Sequence, residues 1–142
     1  MGNNWKITDT LTKVFAEEAP DGQGSIRLST LHRETVSCVI AYFGAADWGR
    51  YWKVSVKAPE KIETRLRRVE LVPSAYPCHK EQDDNYLRIV PGMYPDLLRD
   101  LDTEDDGADK KYLTKEVPGQ WRSLWLDVTV DAELAGGDYA IR

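Results

Sequence analysis

Apolar residues come in short runs that alternate with polar ones, and glycine, proline or aspartate closes each run. A period of two marks a strand with one face toward a core and one toward water. Residues 51–58 show it most cleanly, with Trp52, Val54, Val56 and Ala58 on one side and Tyr51, Lys53, Ser55 and Lys57 on the other. In residues 122–130, Leu124, Leu126, Val128 and Val130 repeat at every second position. Trp121, Ser123, Trp125, Asp127 and Thr129 take the opposite face, which is half aromatic and half polar. Residues 36–43 are apolar on both faces apart from Ser37, as in a central strand covered on both sides. Val69 and Leu71 alternate with Arg68 and Glu70, but Leu66 is out of phase, so a β-bulge or a late strand start is expected near Arg67. Shorter strands are expected at 26–30, 112–117 and 138–142, with turns at Asp21-Gly22, Pro118-Gly119 and Gly136-Gly137.

Helical periodicity is scarce. Residues 10–18 fit an extended strand or a short helix, and the proline-bounded residues 94–101 fit a helical turn. Residues 76–109, with several prolines and an acidic run, are the least regular, and a long loop of functional or interface character is expected there. Many short strands with regular turn signals predict an all-β fold, a two-layer antiparallel β-sandwich of the immunoglobulin or fibronectin kind with a long irregular loop region. A length of 142 residues suits one domain over residues 1–142, and apolar and charged fractions of 42% and 30% suit a packed core.

Charge narrows the partners. A net charge of −5 leaves no basic face, and the cluster Arg65, Arg67 and Arg68 is too small for nucleic acid to be an expected partner. The N-terminus lacks the basic and apolar regions of a signal peptide, and no stretch is apolar for long enough to span a membrane as a helix. Cys38 sits in an apolar run and Cys78 in a proline-flanked loop, which reads as two free thiols and a cytoplasmic setting.

Candidate chemistry is thin. The carboxylates Glu17 and Glu18, Asp83 and Asp84, and those from Asp102 to Asp109 read as solvated, because glycosidase pairs need a rigid frame that perturbs one of them. Residues 102–107 begin like an EF-hand loop, but its closing position holds Leu113 rather than glutamate, so no metal is expected. Cys78 and His79 are sequence neighbours that point apart on an extended segment, and no nucleophile, zinc or nucleotide motif is present, so neither a catalytic residue nor a cofactor is assigned. The five tryptophans and seven tyrosines are more informative, since flat rings with polar handles suit protein interfaces and sugar rings as well as cores. Trp121 and Trp125 are the candidates to face something beyond the core, and the segment PGMYPDLL adds Tyr94 and Leu97, held by two prolines.

The strings WKITDTLTKVF, HRETVSCVIAYF, VELVPSAYP, PGMYPDLL, PGQWRSLWLDVTV and AGGDYAIR, in that order, resemble the N-terminal β-sandwich domain of glycoside hydrolase family 123 and related proteins. The Tyr-Pro-Asp-Leu-Leu and Trp-Arg-Ser-Leu-Trp-Leu-Asp-Val strings carry most of the resemblance, which spans nearly the whole chain. It implies a parent protein that removes terminal β-linked N-acetylgalactosamine by substrate-assisted chemistry, with the acid/base groups on a barrel domain of about 200 residues or more. Such a barrel is absent from these residues. The chain is therefore expected to be a non-catalytic accessory domain, an N-terminal fragment of a larger protein, that packs against and supports a downstream catalytic domain. The alternative is a carbohydrate-binding module that uses exposed aromatics. In either case Tyr94, Leu97, Trp121 and Trp125 are the candidate docking or sugar contacts.

Overall fold

A computed structural model describes residues 4–44, 51–79, 86–105 and 110–142. Eight strands follow one another: β1 (Trp5–Thr8), β2 (Thr35–Phe43), β3 (Tyr51–Ser55), β4 (Ile62–Ser74), β5 (Gly92–Asp100), β6 (Asp102–Asp105), β7 (Lys110–Lys115) and β8 (Trp121–Val130). They form two antiparallel sheets, one of order β1-β2-β8-β4-β5 and one of order β3-β7-β6, and no helix occurs among the described residues. One apolar core lies between the sheets. Cys38 and Tyr42 of β2, Leu66 of β4 and Leu124, Leu126 and Val128 of β8 meet Tyr112 of β7, with Trp52 and Val54 of β3 packed against them. The rings of Trp5, Tyr42 and Trp52 cluster at centroid separations of 4.8–5.7 Å, Trp5 stacked on Trp52 and both tilted to Tyr42, and close the β1 side of this core.

The alternations at residues 51–58 and 122–130 are both realised. Trp52, Val54 and Val56 face the core while Tyr51, Lys53, Ser55 and Lys57 are exposed, and Leu124, Leu126, Val128 and Val130 are all buried. β2 is covered on both faces, with Cys38 and Tyr42 toward the small sheet and Val39 and Ala41 under Val14 on the outer side. The turn at Pro118-Gly119 has Gly119 at φ 70° and a 3.2 Å bond from Gln120 N–H to Val117 O. Proline before a positive-φ glycine is the chemistry of a type II turn.

Several expectations need correction. β4 shows no irregularity at Arg67. Leu66 and Val69 are out of phase because they serve opposite faces of the sheet, each apolar where it is covered. The register shift lies between Glu70 and Leu71, and Asp96 is the extra residue on the β5 side. Residues 94–101 form no helical turn. Most of them belong to β5, an edge strand that tolerates Pro95 because it has a partner on one side alone. Residues 76–109 are less irregular than their composition suggests, since β5 and β6 lie within them, and the acidic run begins as strand β6. That strand sets Glu104 opposite Lys111 and within 2.6 Å of the Lys53 ammonium. Asp83, Asp84, Asp106, Gly107 and Asp109 lie outside the described residues. Residues 26–30 form no strand, and residues 10–18 form two short turns joined by irregular chain, the first started by Asp9 Oδ1 accepting from the Leu11 and Thr12 amides. Residues 138–142 form no named strand either, although Arg142 and Lys57 exchange two backbone bonds of 2.7 and 2.9 Å.

The outer face of the five-stranded sheet changes character along β8. Its polar end centres on Asp127, whose Oδ1 accepts from Ser37 Oγ and Trp125 Nε1, each at 2.7 Å, while Oδ2 accepts from Arg67 Nη2. Burial pushes the Asp127 carboxyl up, but the bonds from Ser37, Trp125 and Arg67 together outweigh it and hold the group below the usual carboxylate value. A depressed carboxyl contributes stability above its unfolded pKa, and that contribution is lost as pH falls through the folded value.

Two outcomes are expected. Asp127→Ala should cost about 2–3 kcal/mol at neutral pH by leaving the half-buried Arg67 without its carboxylate. That loss should shrink below about pH 4, where the carboxyl in the unfolded chain protonates and the wild type begins to lose the same contribution. Urea unfolding of both proteins against pH measures it. Gly44 is bonded to the chain at Gly119 and Gln120, and a Cβ there would stand 2.1 Å from Val117 O. Gly44→Ala should therefore lower the urea midpoint by the equivalent of about 3 kcal/mol without changing the slope.

Candidate functional site

Opposite the polar end, the same outer face is apolar. Val39 and Ala41 of β2 and Trp121 and Trp125 of β8 form its surface, and Val14 is buried on them. The cover is irregular chain fixed by a few specific bonds. Trp121 N–H donates to Ala16 O at 2.8 Å, and the Lys6 ammonium, 5.6 Å from the Trp121 ring centroid, donates to Pro20 O at 2.7 Å. Arg88 places its guanidinium 3.7 Å from the Phe15 ring centroid and bonds both Glu17 and Glu18. The Arg88 guanidinium holds the Glu17 carboxyl below its usual value. Glu17 and Glu18 thus tie the cover to the chain that leads into β5. They are a structural pair.

The four candidate contacts occupy different settings. Tyr94 meets Phe15 edge-on at 5.8 Å, and its hydroxyl donates to Val90 O, so it helps fasten the cover. Trp121 lies between the cover and Phe43, 5.5 Å away. Trp125 is partly covered and also lines a small cleft of about 200 Å³ between the turn at residues 10–13, β5 and β8. Leu97 is in register with Glu70, on the sheet face opposite Trp125, and is 47% exposed. Tyr94, Trp121 and Trp125 therefore belong to one assembly with the cover, and Leu97 stands apart from it.

Elsewhere the candidate chemistry is dispersed. Cys38 is buried, which pushes its thiol up, Cys78 is half-buried, and neither is in a disulfide among the described residues. Cys78 Sγ lies 3.7 Å from Ile89 O, and His79 is exposed beside it. No group of three His, Cys, Asp or Glu side chains comes together among the described residues. Between the sheets, Glu116 is 1% exposed, Tyr42 shares a 2.9 Å bond with Thr114, and Arg68 pairs with Glu70. This polar end of the core carried no motif in the sequence. A second cavity, of about 730 Å³, opens at the other end of the sheet, where Arg33 and Lys61 adopt positive φ and Lys61 pairs with Glu133. No helix of the described residues is long and apolar enough to cross a membrane. No protein-family model matches the chain, and no curated protein matches it.

Proposed function

We propose that this chain is a non-catalytic accessory β-sandwich of the immunoglobulin or fibronectin kind, belonging to a glycoside hydrolase-like protein. In this reading it packs against and supports the catalytic domain through the β5 edge. The observation that carries the reading is the run of exposed apolar side chains at Leu87, Ile89, Val90, Met93 and Leu97, which leads into and along an edge strand. Exposed apolar side chains gathered on one short segment, on both sides of an edge strand, mark an interaction site. Strand addition at the edge is opposed by Pro95, Asp96, Arg99 and Asp100, which blunt backbone pairing. The contact is therefore one of side chains on a fixed strand, as between domains that bury about 600–1,500 Å². The resemblance supports the same place, because its Tyr-Pro-Asp-Leu-Leu string is the middle of β5.

The test is to express the coding region that follows Arg142 in the gene and titrate it against this chain calorimetrically. Met93→Asp and Leu97→Asp are compared after circular dichroism shows that both fold. Wild type should associate with a micromolar constant, and each variant should weaken it about tenfold or more. No association at about 100 μM, or folded variants that bind like wild type, would remove the docking assignment.

A further inference from the structure

We propose that the cleft beside Trp125 binds a single neutral ring bearing adjacent hydroxyl groups, the chemistry of one monosaccharide unit. Its apolar floor comes from Trp125, Val39 and Val69. The Trp125 ring is preset, because Nε1 is bonded to Asp127, which Ser37 and Arg67 hold in turn. A ring fixed before the ligand arrives loses no freedom on binding. The β5 irregularity supplies the wall. In a regular strand, alternate residues turn away from a given surface, yet with Asp96 as the extra residue Pro95, Asp96 and Leu98 all line the cleft. Re-aiming a side chain is what a bulge does beside a site.

Three polar groups of the lining are unused. Ser123 is 3% exposed and lines the cleft, and its hydroxyl bonds no partner among the described residues. Asp96 and Lys13, also in the lining, make no ion pair among the described residues and bring one charge of each sign. A hydroxyl that reaches a cleft without a partner in the fold is left to bond water or a ligand. A carboxylate that can accept from two adjacent hydroxyls, an ammonium donor and an aromatic floor together suit a hydroxylated ring with no net charge. At about 30 Å³ per water, the volume replaces about six or seven waters, which fits one ring and not a chain of them.

This site does not rest on the docking surface, since none of Leu87, Ile89, Val90, Met93 and Leu97 lines the cleft. The test follows nitrogen–proton correlation spectra during titration with methyl glucopyranoside, galactopyranoside and mannopyranoside. Cyclohexanol serves as a ring without the diol, and Trp125→Phe assigns the indole signal. At least one pyranoside should give saturable shifts at the Trp125 indole and the Asp96 amide, with a constant on the order of millimolar. Asp96→Asn, at an exposed position, should weaken it about tenfold, and Ser123→Ala should weaken it less. The absence of saturable shifts up to about 100 mM, equal binding of cyclohexanol, or unchanged affinity in Asp96→Asn would each overturn the site while leaving the β5 docking surface standing.

Discussion

β8 is bonded on one edge to β2 and on the other to β4, and both of its faces are covered. The rest of the structure depends on that strand. Its aliphatic side builds the core shared with the small sheet, and its aromatic side receives the cover. Because the side-chain period is two, a slip of one residue against either neighbour would put Leu124 and Leu126 outside and Trp125 and Asp127 inside. The Asp127 cluster helps forbid this, since it needs Ser37 of β2, Arg67 of β4 and Trp125 of β8 on one surface at once.

That cluster also divides the outer face. A carboxylate held by three donors is stable at a half-buried position, where an unpaired one would be costly. The surface on the other side of it can be apolar and roofed by residues 14–16. The cleft lies where the roof gives way to β5, so a cleft wall and a structural cover share the same indole ring.

Legibility in the sequence followed physical cause. The alternations of residues 51–58 and 122–130 identified their strands because each serves one apolar and one mixed face, and the doubly apolar residues 36–43 identified β2. Residues 94–101 misled because proline argues against a strand unless the strand is at an edge, and edge position is a property of the assembled sheet. Leu66 misled for a similar reason, since two covered faces remove the contrast on which phase depends. Trp121 and Trp125 were legible as unusual, but their division into a ring under the cover and a cleft wall depends on residues 14–16, whose irregular path has no period to read. The polar end of the core was invisible as a site. Tyr42 on β2 lies far in sequence from Thr114 on β7 and from Glu116 just after it.

The position of β8 in the order of synthesis has a consequence for the cell. β2 is complete at Phe43, with β1 and Val14 already made, yet its core face cannot be fully buried, nor its inner edge bonded, until Val130 has been made. At about 5–20 residues per second the nascent chain therefore presents a nine-residue strand, largely apolar on both sides, for on the order of 10 s before its β8 partner exists. Such a segment is a substrate for holding chaperones and a hazard for pairing between neighbouring ribosomes. The same design that makes the finished sheet cooperative leaves the unfinished chain adhesive.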